Sequence, residues 1–246
     1  MSGHSKWNNI KRKKEKTDGA KAKVFTKIGR ELAVAVKEGG GPDPNANSKL
    51  KDCIAKAKAA NVPNENIERI IKKAAGDGSD TKYESITYEG YGPNGVAVIV
   101  EALTDNRNRT AGDIRHYFDK FGGNLGTTGC VSFLFEQKGV IVIEREGLEE
   151  DKVMEDCLEA GASDFQADED VFEIDTEPSD FSGVLEDLSK KGYEFVSAEV
   201  EMVPSTYTKL EDEETAAKMQ RLLDALEDND DVQNVWHNWE NPDEEE

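Results

Sequence analysis

Three apolar stripes of helical period occur in the first eighty residues. Between positions 20 and 38, Val24, Phe25, Ile28, Leu32, Ala35 and Val36 recur at spacings of three and four, which predicts a helix that Gly39 closes. The run Gly39-Gly40-Gly41-Pro42-Asp43-Pro44 forbids its continuation. Leu50, Cys53, Ile54 and Ala57 predict a second helix over 48–60 with Asn47 as its cap. Ile67, Ile70, Ile71 and Ala74 predict a third over 64–75, ended by Gly76. Three short helices of this kind make a small bundle.

Past Gly78 the period changes from helical to alternating. Residues 83–89 and 96–102 read as strands joined by Pro93-Asn94-Gly95, a strong hairpin signal because Asn and Gly both tolerate positive φ. A helix over 110–121 follows, with Ile114, Tyr117, Phe118 and Phe121 inward, then a glycine-rich turn and a strand over 131–135. From 140 onward the order is strand 140–144, helix 149–160, strands 163–167 and 171–175, helix 178–190 and strand 193–203. That order is βαββαβ, the split βαβ arrangement of a ferredoxin-like sandwich, and it is complete in itself. The helix over 211–227 and strand over 232–236 beyond it cannot form a domain alone, whereas the 83–135 segment lacks one helix and one strand for the same sandwich. The expected architecture is therefore α+β and multidomain. A basic arm and three-helix bundle occupy 1–78, a discontinuous α/β domain 79–137 and 204–240, and an inserted βαββαβ domain 138–203, the last two both ferredoxin-like sandwiches.

Charge turns this fold into a function class. The chain carries a net −21, yet residues 1–80 hold 18 Lys and Arg against 10 Asp and Glu, a net +8. Residues 81–144 come to −2, and 145–246, with 7 against 34, to −27. Since charges are screened over about 8 Å at physiological salt, the distant acid does not cancel the field beside the lysines. Lys6, Lys11, Arg12, Lys13, Lys14, Lys16, Lys21, Lys23, Lys27 and Arg30 stand against only Glu15 and Asp18 in the first thirty residues. Such density opposes compaction, and phosphate is the counter-ion best able to relieve it. Trp7 adds a ring able to stack on an unpaired base. A solvated basic tail is the alternative, weakened because an acidic protein gains no solubility from it. A second cluster, Asp105-Asn106-Arg107-Asn108-Arg109-Thr110, sits where a strand hands over to a helix. Two readings stay open there: Arg107 and Arg109 with helix N-terminal amides as a phosphate seat, or an Asx cap whose arginines pair with acidic neighbours.

Other chemistry is excluded on spacing. Gly90-Tyr91-Gly92-Pro93-Asn94-Gly95 fits a G-x-G-x-x-G string, but it joins two strands, and Pro93 removes an amide a phosphate would need. His4, His116 and His237 have no metal-ligand spacing, and Cys53, Cys130 and Cys157 form no C-x-x-C pair. No P-loop, nucleophile elbow or H-E-x-x-H string is present, so neither enzyme activity, a cofactor nor a metal is expected. The longest apolar runs fall far short of the ~20 residues of a membrane helix, and the polar, basic N-terminus carries no secretion signal, which predicts a cytoplasmic protein.

Gly3-His4-Ser5-Lys6-Trp7 with the basic run after Ile10, Asn61-Val62-Pro63 with Ile67-Glu68-Arg69, Tyr88-Glu89-Gly90-Tyr91-Gly92-Pro93 and Thr104 through Thr110 closely resemble the YebC family, and the similarity extends over essentially the whole chain. The resemblance implies a three-helix N-terminal domain followed by two α/β domains. It also implies a transcriptional regulator that binds promoter DNA, or, as for mitochondrial and some bacterial relatives, a translation factor on ribosomal or messenger RNA that helps synthesis of proline-rich chains. By position, Lys6, Trp7 and the 11–16 run match the family's basic arm, and Arg107 and Arg109 its arginine motif. Physics alone leans toward RNA, because the third helix offers Glu65 and Glu68 beside Arg69, Lys72 and Lys73, a mixed face unsuited to reading a groove. The acidic body is expected to repel nucleic acid and so orient the basic module, or to bind a basic protein partner.

Overall fold

Residues 18–76 and 83–240 are described by the computed structural model of the chain. They form two compact units, one from Met1–Gly78 and Gln137–Glu201, the other from Ser79–Glu136 and Met202–Glu246. In the first, helices α1 (Asp18–Glu38), α2 (Ser48–Ala59) and α3 (Asn64–Gly76) form on the predicted stripes. Ile28, Leu32, Ala35 and Val36 of α1 share one core with Leu50, Ala57, Ile67 and Ala74. Asn47 fixes how α1 turns into α2. Its side-chain oxygen accepts from the Leu50 amide at 3.0 Å, capping α2, while its Nδ2 donates to the carbonyls of Ala35 and Gly41 at 2.8 and 2.9 Å. Gly39 is glycine for the same reason: a Cβ there would stand 2.3 Å from the Asn47 oxygen.

The same unit holds β4 (Phe135–Glu144), α5 (Glu150–Ala160), β5 (Asp164–Ala167), β6 (Val171–Thr176), α6 (Phe181–Lys190) and β7 (Phe195–Pro204), with strand order β5-β6-β4-β7. This is the order of a split βαβ sandwich. Ile141 faces Ile174 and Ile143 faces Phe172 in the antiparallel register, and both pairs are buried under Val153 and Cys157 of α5 and Phe181, Val184 and Leu188 of α6. The helical module is joined to this sandwich through α2. Lys56 lies between Glu31 of α1 at 3.0 Å and Glu199 of β7 at 3.3 Å, Lys51 pairs with Glu186, and the Ser182 hydroxyl donates to Asp52. Burial alone would lower the Lys56 pKa, but Glu199 and Glu31 outweigh it and hold the ammonium above the ordinary lysine range. At the sheet's far helix Asp156, buried, accepts from Lys152, Lys191 and the Tyr193 hydroxyl, and these three donors hold its pKa well below the carboxylate range.

In the second unit β1 (Glu84–Tyr91) and β2 (Ala97–Thr104) pair across a turn in which Asn94 and Gly95 have φ of 55° and 78°, the conformation that the Asn-Gly pair permits. Helix α4 (Arg107–Lys120) follows, then the two-residue β3 (Asn124–Leu125). After β7 come β8 (Thr208–Lys209), α7 (Glu213–Asp228), β9 (Val232–His237) and β10 (Trp239–Glu240). The main sheet has the order β3-β1-β2-β9, with Val98 opposite His237 and Val100 opposite Val235, while β8 and β10 pair in parallel. Val96, Val98, Val100, Ile114, Phe118, Met219, Leu222 and Leu226 make the core between this sheet and its two helices. Ala97, Ile99, Val131 and Phe135 pack on the opposite face.

Two expectations are corrected here. The second unit is not a second βαββαβ sandwich, because its first two strands are joined directly by the hairpin and its two helices follow β2 and β8. Nor is 131–135 a strand: Ser132–Leu134 makes one 3-10 turn, and β4 begins only at Phe135. The cause is Glu89, whose buried carboxylate accepts from the amides of Gly129, Val131 and Ser132 at 2.8, 2.9 and 2.9 Å and so withdraws them from any ladder.

Replacing Asn47 by Ala should cost about 2 kcal/mol, one cap plus two stranded carbonyls, read as a lowered urea midpoint. Glu186 is held from its ordinary 4.5 down to about 2 by Lys51 and Lys190. A depressed acid contributes stability above its unfolded pKa and loses it as pH falls through the folded value. Glu186→Gln should therefore make the acid limb of the stability curve shallower between about pH 4.5 and 2, as followed by circular dichroism.

Candidate nucleic-acid interface

Helix α1 carries the described part of the basic segment. Lys23 is exposed, and Lys27 and Arg30 are half-buried. Their i, i+4, i+7 spacing puts them on one face, away from the buried Ile28, Leu32, Ala35 and Val36, over about 10 Å of helix axis at 1.5 Å per residue. One turn further along that face Val34 is 8% exposed, so the stripe ends at Arg30. Lys21 lies in the first turn of α1, nearest the arm. Lys6, Trp7, Lys11, Arg12, Lys13, Lys14 and Lys16 lie outside the described residues. On α3, Glu65, Glu68, Arg69, Lys72 and Lys73 are all exposed, which leaves a face of mixed sign.

The arginine cluster has a different geometry. Asn106 caps α4 through its side-chain oxygen, which accepts from the Arg109 amide at 3.1 Å, and this cap explains why the helix begins earlier than its apolar stripe. The Arg109 guanidinium lies 2.7 Å from Asp231 and 3.0 Å from Asp105. Asp231 is 5% exposed, and the hydroxyls of Thr104 and Thr110, both fully buried, reach the same carboxylate oxygen at 3.3 and 2.8 Å. The Leu103 amide donates to the Asp231 carbonyl. One carboxylate thus ties the end of β2, the start of α4 and the turn before β9. Arg107 pairs only at the surface, 3.2 Å from Glu84, with 67% of its side chain exposed. The geometry supplies the Asx cap and pairs both arginines with acids: Arg109, with 48% of its side chain exposed, braces Asp231 and Asp105, while Arg107 pairs at the surface.

Burial first and Glu31 second push Cys53 up to about 12, and burial with Asp156 pushes Cys157 up to about 11. Among the described residues no group of three or more His, Cys, Asp and Glu could hold a metal ion, and no helix is long and apolar enough to cross a membrane.

A family model described as the TACO1/YebC protein N-terminal domain matches residues 5–77, and one described as the TACO1/YebC second and third domain matches residues 83–239. The chain belongs to the TACO1/YebC family. A probable transcriptional regulatory protein of Acetivibrio thermocellus is 66% identical over 240 residues, spanning 97% of this chain and 99% of the relative. One of Caldicellulosiruptor saccharolyticus is 63% identical over 241 residues, 98% and 99% of the two chains. The crystal structure of a conserved hypothetical protein from Aquifex aeolicus is 47% identical and superposes with a TM-score of 0.83 over 94% of both chains. The TACO1/YebC chain thus shares its α+β architecture with a solved relative, and both bacterial relatives carry the name of a regulator.

Within this family member, Asp231→Ala should cost about 2 kcal/mol, since it removes the buried carboxylate that the Thr104 and Thr110 hydroxyls reach and leaves Arg109 with Asp105 alone. Arg107→Ala should change stability by under about 0.5 kcal/mol. Equal effects in urea unfolding would contradict the assignment of brace and surface charge.

Proposed function

We propose that the chain is a nucleic-acid-binding regulator of gene expression that grips phosphate backbone with its basic arm and the α1 stripe. The observation that carries this reading is that Lys23, Lys27 and Arg30 share one helix face and follow in sequence on the dense cations before them, in a chain whose overall net charge is −21. The relatives' names, each a probable transcriptional regulatory protein, favour transcription. Lys6, Trp7, Lys11, Arg12, Lys13, Lys14, Lys16, Lys21, Lys23, Lys27 and Arg30 in the first unit, and separately Arg107 in the second, are assigned to phosphate contact, and Arg109 is assigned to holding the start of α4. The discontinuous sandwich of 79–137 and 204–240, with 138–203 inserted, is read as a frame. Its acidic surface is repelled by the polyanion, which leaves the basic module as the only approach, or else receives a basic protein.

A second reading, ribosomal or messenger RNA and a role in translation, is favoured by the mixed charges on α3. There Glu65 and Glu68 beside Arg69, Lys72 and Lys73 do not make the single-sign polar face that enters a major groove. Both readings share weak sequence preference, because contacts to phosphate position a protein without reading bases.

Filter binding with a promoter duplex, a random duplex and ribosomal RNA separates them. A preference for one duplex over the other above about a thousandfold would contradict backbone grip. With about five phosphates contacted, the log-log salt slope on duplex DNA should be roughly −4 to −5. Replacing Lys11, Arg12, Lys13 and Lys14 together by Ala should weaken every ligand alike and reduce that slope toward zero by about three to four. Unchanged affinity would remove the arm from the interface.

A further inference from the structure

The segment between β3 and β4 holds its backbone in place residue by residue and leaves one ring outside. Glu89 binds three of its amides, the Tyr91 hydroxyl donates to the Cys130 carbonyl at 3.0 Å, and Ser205 donates through both amide and hydroxyl to the Leu134 carbonyl at 2.9 and 3.0 Å. Gly126 lies so close to Cys130 that a Cβ would stand 2.5 Å from its sulfur. Val131 and Phe135 are buried against Ala97 and Ile99, and Cys130 and Leu134 pack on the same cluster. Burial raises the Glu89 pKa, but the backbone amides outweigh it and keep the acid below its ordinary range, so the anchor stays charged at neutral pH. Phe133, in the middle of this anchored turn, is 72% exposed.

A solvent-facing phenyl ring on an anchored backbone serves no packing purpose, and the residues next to it narrow what it can meet. Among the described residues of the second unit it is the only large hydrophobic side chain that is exposed. Gly126, Thr127, Thr128 and Gly129 beside it are exposed and uncharged. The other apolar side chains of this cluster, Tyr91, Leu134, Met202 and Trp236 among them, are at least partly buried, so they add no second fully exposed side chain of the kind a protein interface is built from. A single flat ring with small polar neighbours matches one nucleobase, because stacking requires one π-face and no apolar surround.

We infer that Phe133 is a stacking platform for an unpaired base, held ready by the Glu89-anchored turn. The inference deepens the nucleic-acid reading above and rests on it. Because the backbone is already anchored, little backbone freedom is lost on contact, and a base inside a duplex, stacked on both faces, cannot use the ring.

The test uses the full chain with a twelve-nucleotide single-stranded RNA, the same sequence as DNA, and the duplex form, followed by fluorescence anisotropy. Phe133→Ala should weaken both single strands about tenfold and the duplex less than twofold. Phe133→Tyr should restore the loss and Phe133→Leu should not, because leucine keeps hydrophobicity but has no π-face. Phe133→Trp should add indole emission that the single strand quenches. As Phe133 is exposed, the variants should melt with the wild type. Wild-type binding that Phe133→Ala leaves unchanged on single strands overturns this inference alone, and so does equal loss on duplex and single strand. A wild-type chain that binds none of the three ligands overturns the nucleic-acid reading as well. A change of oligomeric state in Phe133→Ala, seen by light scattering, would assign the ring to a second copy of the chain and equally overturn the inference.

Discussion

On a chain with 52 acidic residues against 31 basic ones, a positive surface persists only where nearby carboxylates are engaged elsewhere. Folding arranges this through α2. Its Lys49 meets Glu38, its Lys51 meets Glu186, and its Lys56 meets Glu31 and Glu199. Three of the four lysines of α2 are thereby committed to the fold, and with them the acids Glu31 and Glu38 of α1. Lys23, Lys27 and Arg30 share one face of α1. Lys56 matters most in this arrangement, since one half-buried ammonium joins α1, α2 and β7, and removing it would leave two carboxylates facing each other without their counter-charge.

The same logic governs the second unit, where polar groups are buried only as complete sets. Asp231 receives Arg109, Thr104 and Thr110, and Glu89 receives three backbone amides. In the interior such a set is worth having only when every member is satisfied, and each of these fixes a junction that apolar packing leaves free. Asp231 sets the angle at which α4 leaves β2. Glu89 decides the path of the chain from β3 to β4, and with it the exposure of Phe133.

Much of this fold was legible because its signals are local. The stripes of Ile28, Leu32 and Val36, of Ile67, Ile70 and Ala74, and of Met219, Leu222 and Leu226 each announced a helix, and Asn94-Gly95 announced the turn between β1 and β2. The errors arose where a distant partner decides. Val131-Ser132-Phe133-Leu134-Phe135 alternates as a buried strand does, and nothing nearby reveals that a glutamate some forty residues earlier captures its amides. The packing of α2 on α6 was equally hidden, since Lys51, Asp52 and Lys56 read as ordinary surface charges until Glu186, Ser182 and Glu199 are brought opposite them. For the interface, charge density pointed to Lys23, Lys27 and Arg30, but density alone could not separate Arg107 at the surface from Arg109 in its brace. Phe133 was missed because a lone exposed ring has the same sequence signature as a core residue.

The central claim is that the basic leading segment is where nucleic acid sits and that the acidic body stays clear of it. Ultraviolet cross-linking of the full chain to bound RNA or DNA, with adducts mapped by peptide mass spectrometry, measures this directly. Adducts concentrated within residues 1–37, joined by the segments around Arg107 and, with single strands, Phe133, and with none beyond 145 apart from background, are the predicted result. Adducts confined to the 145–246 region, or absent while binding is intact at low salt, would contradict it.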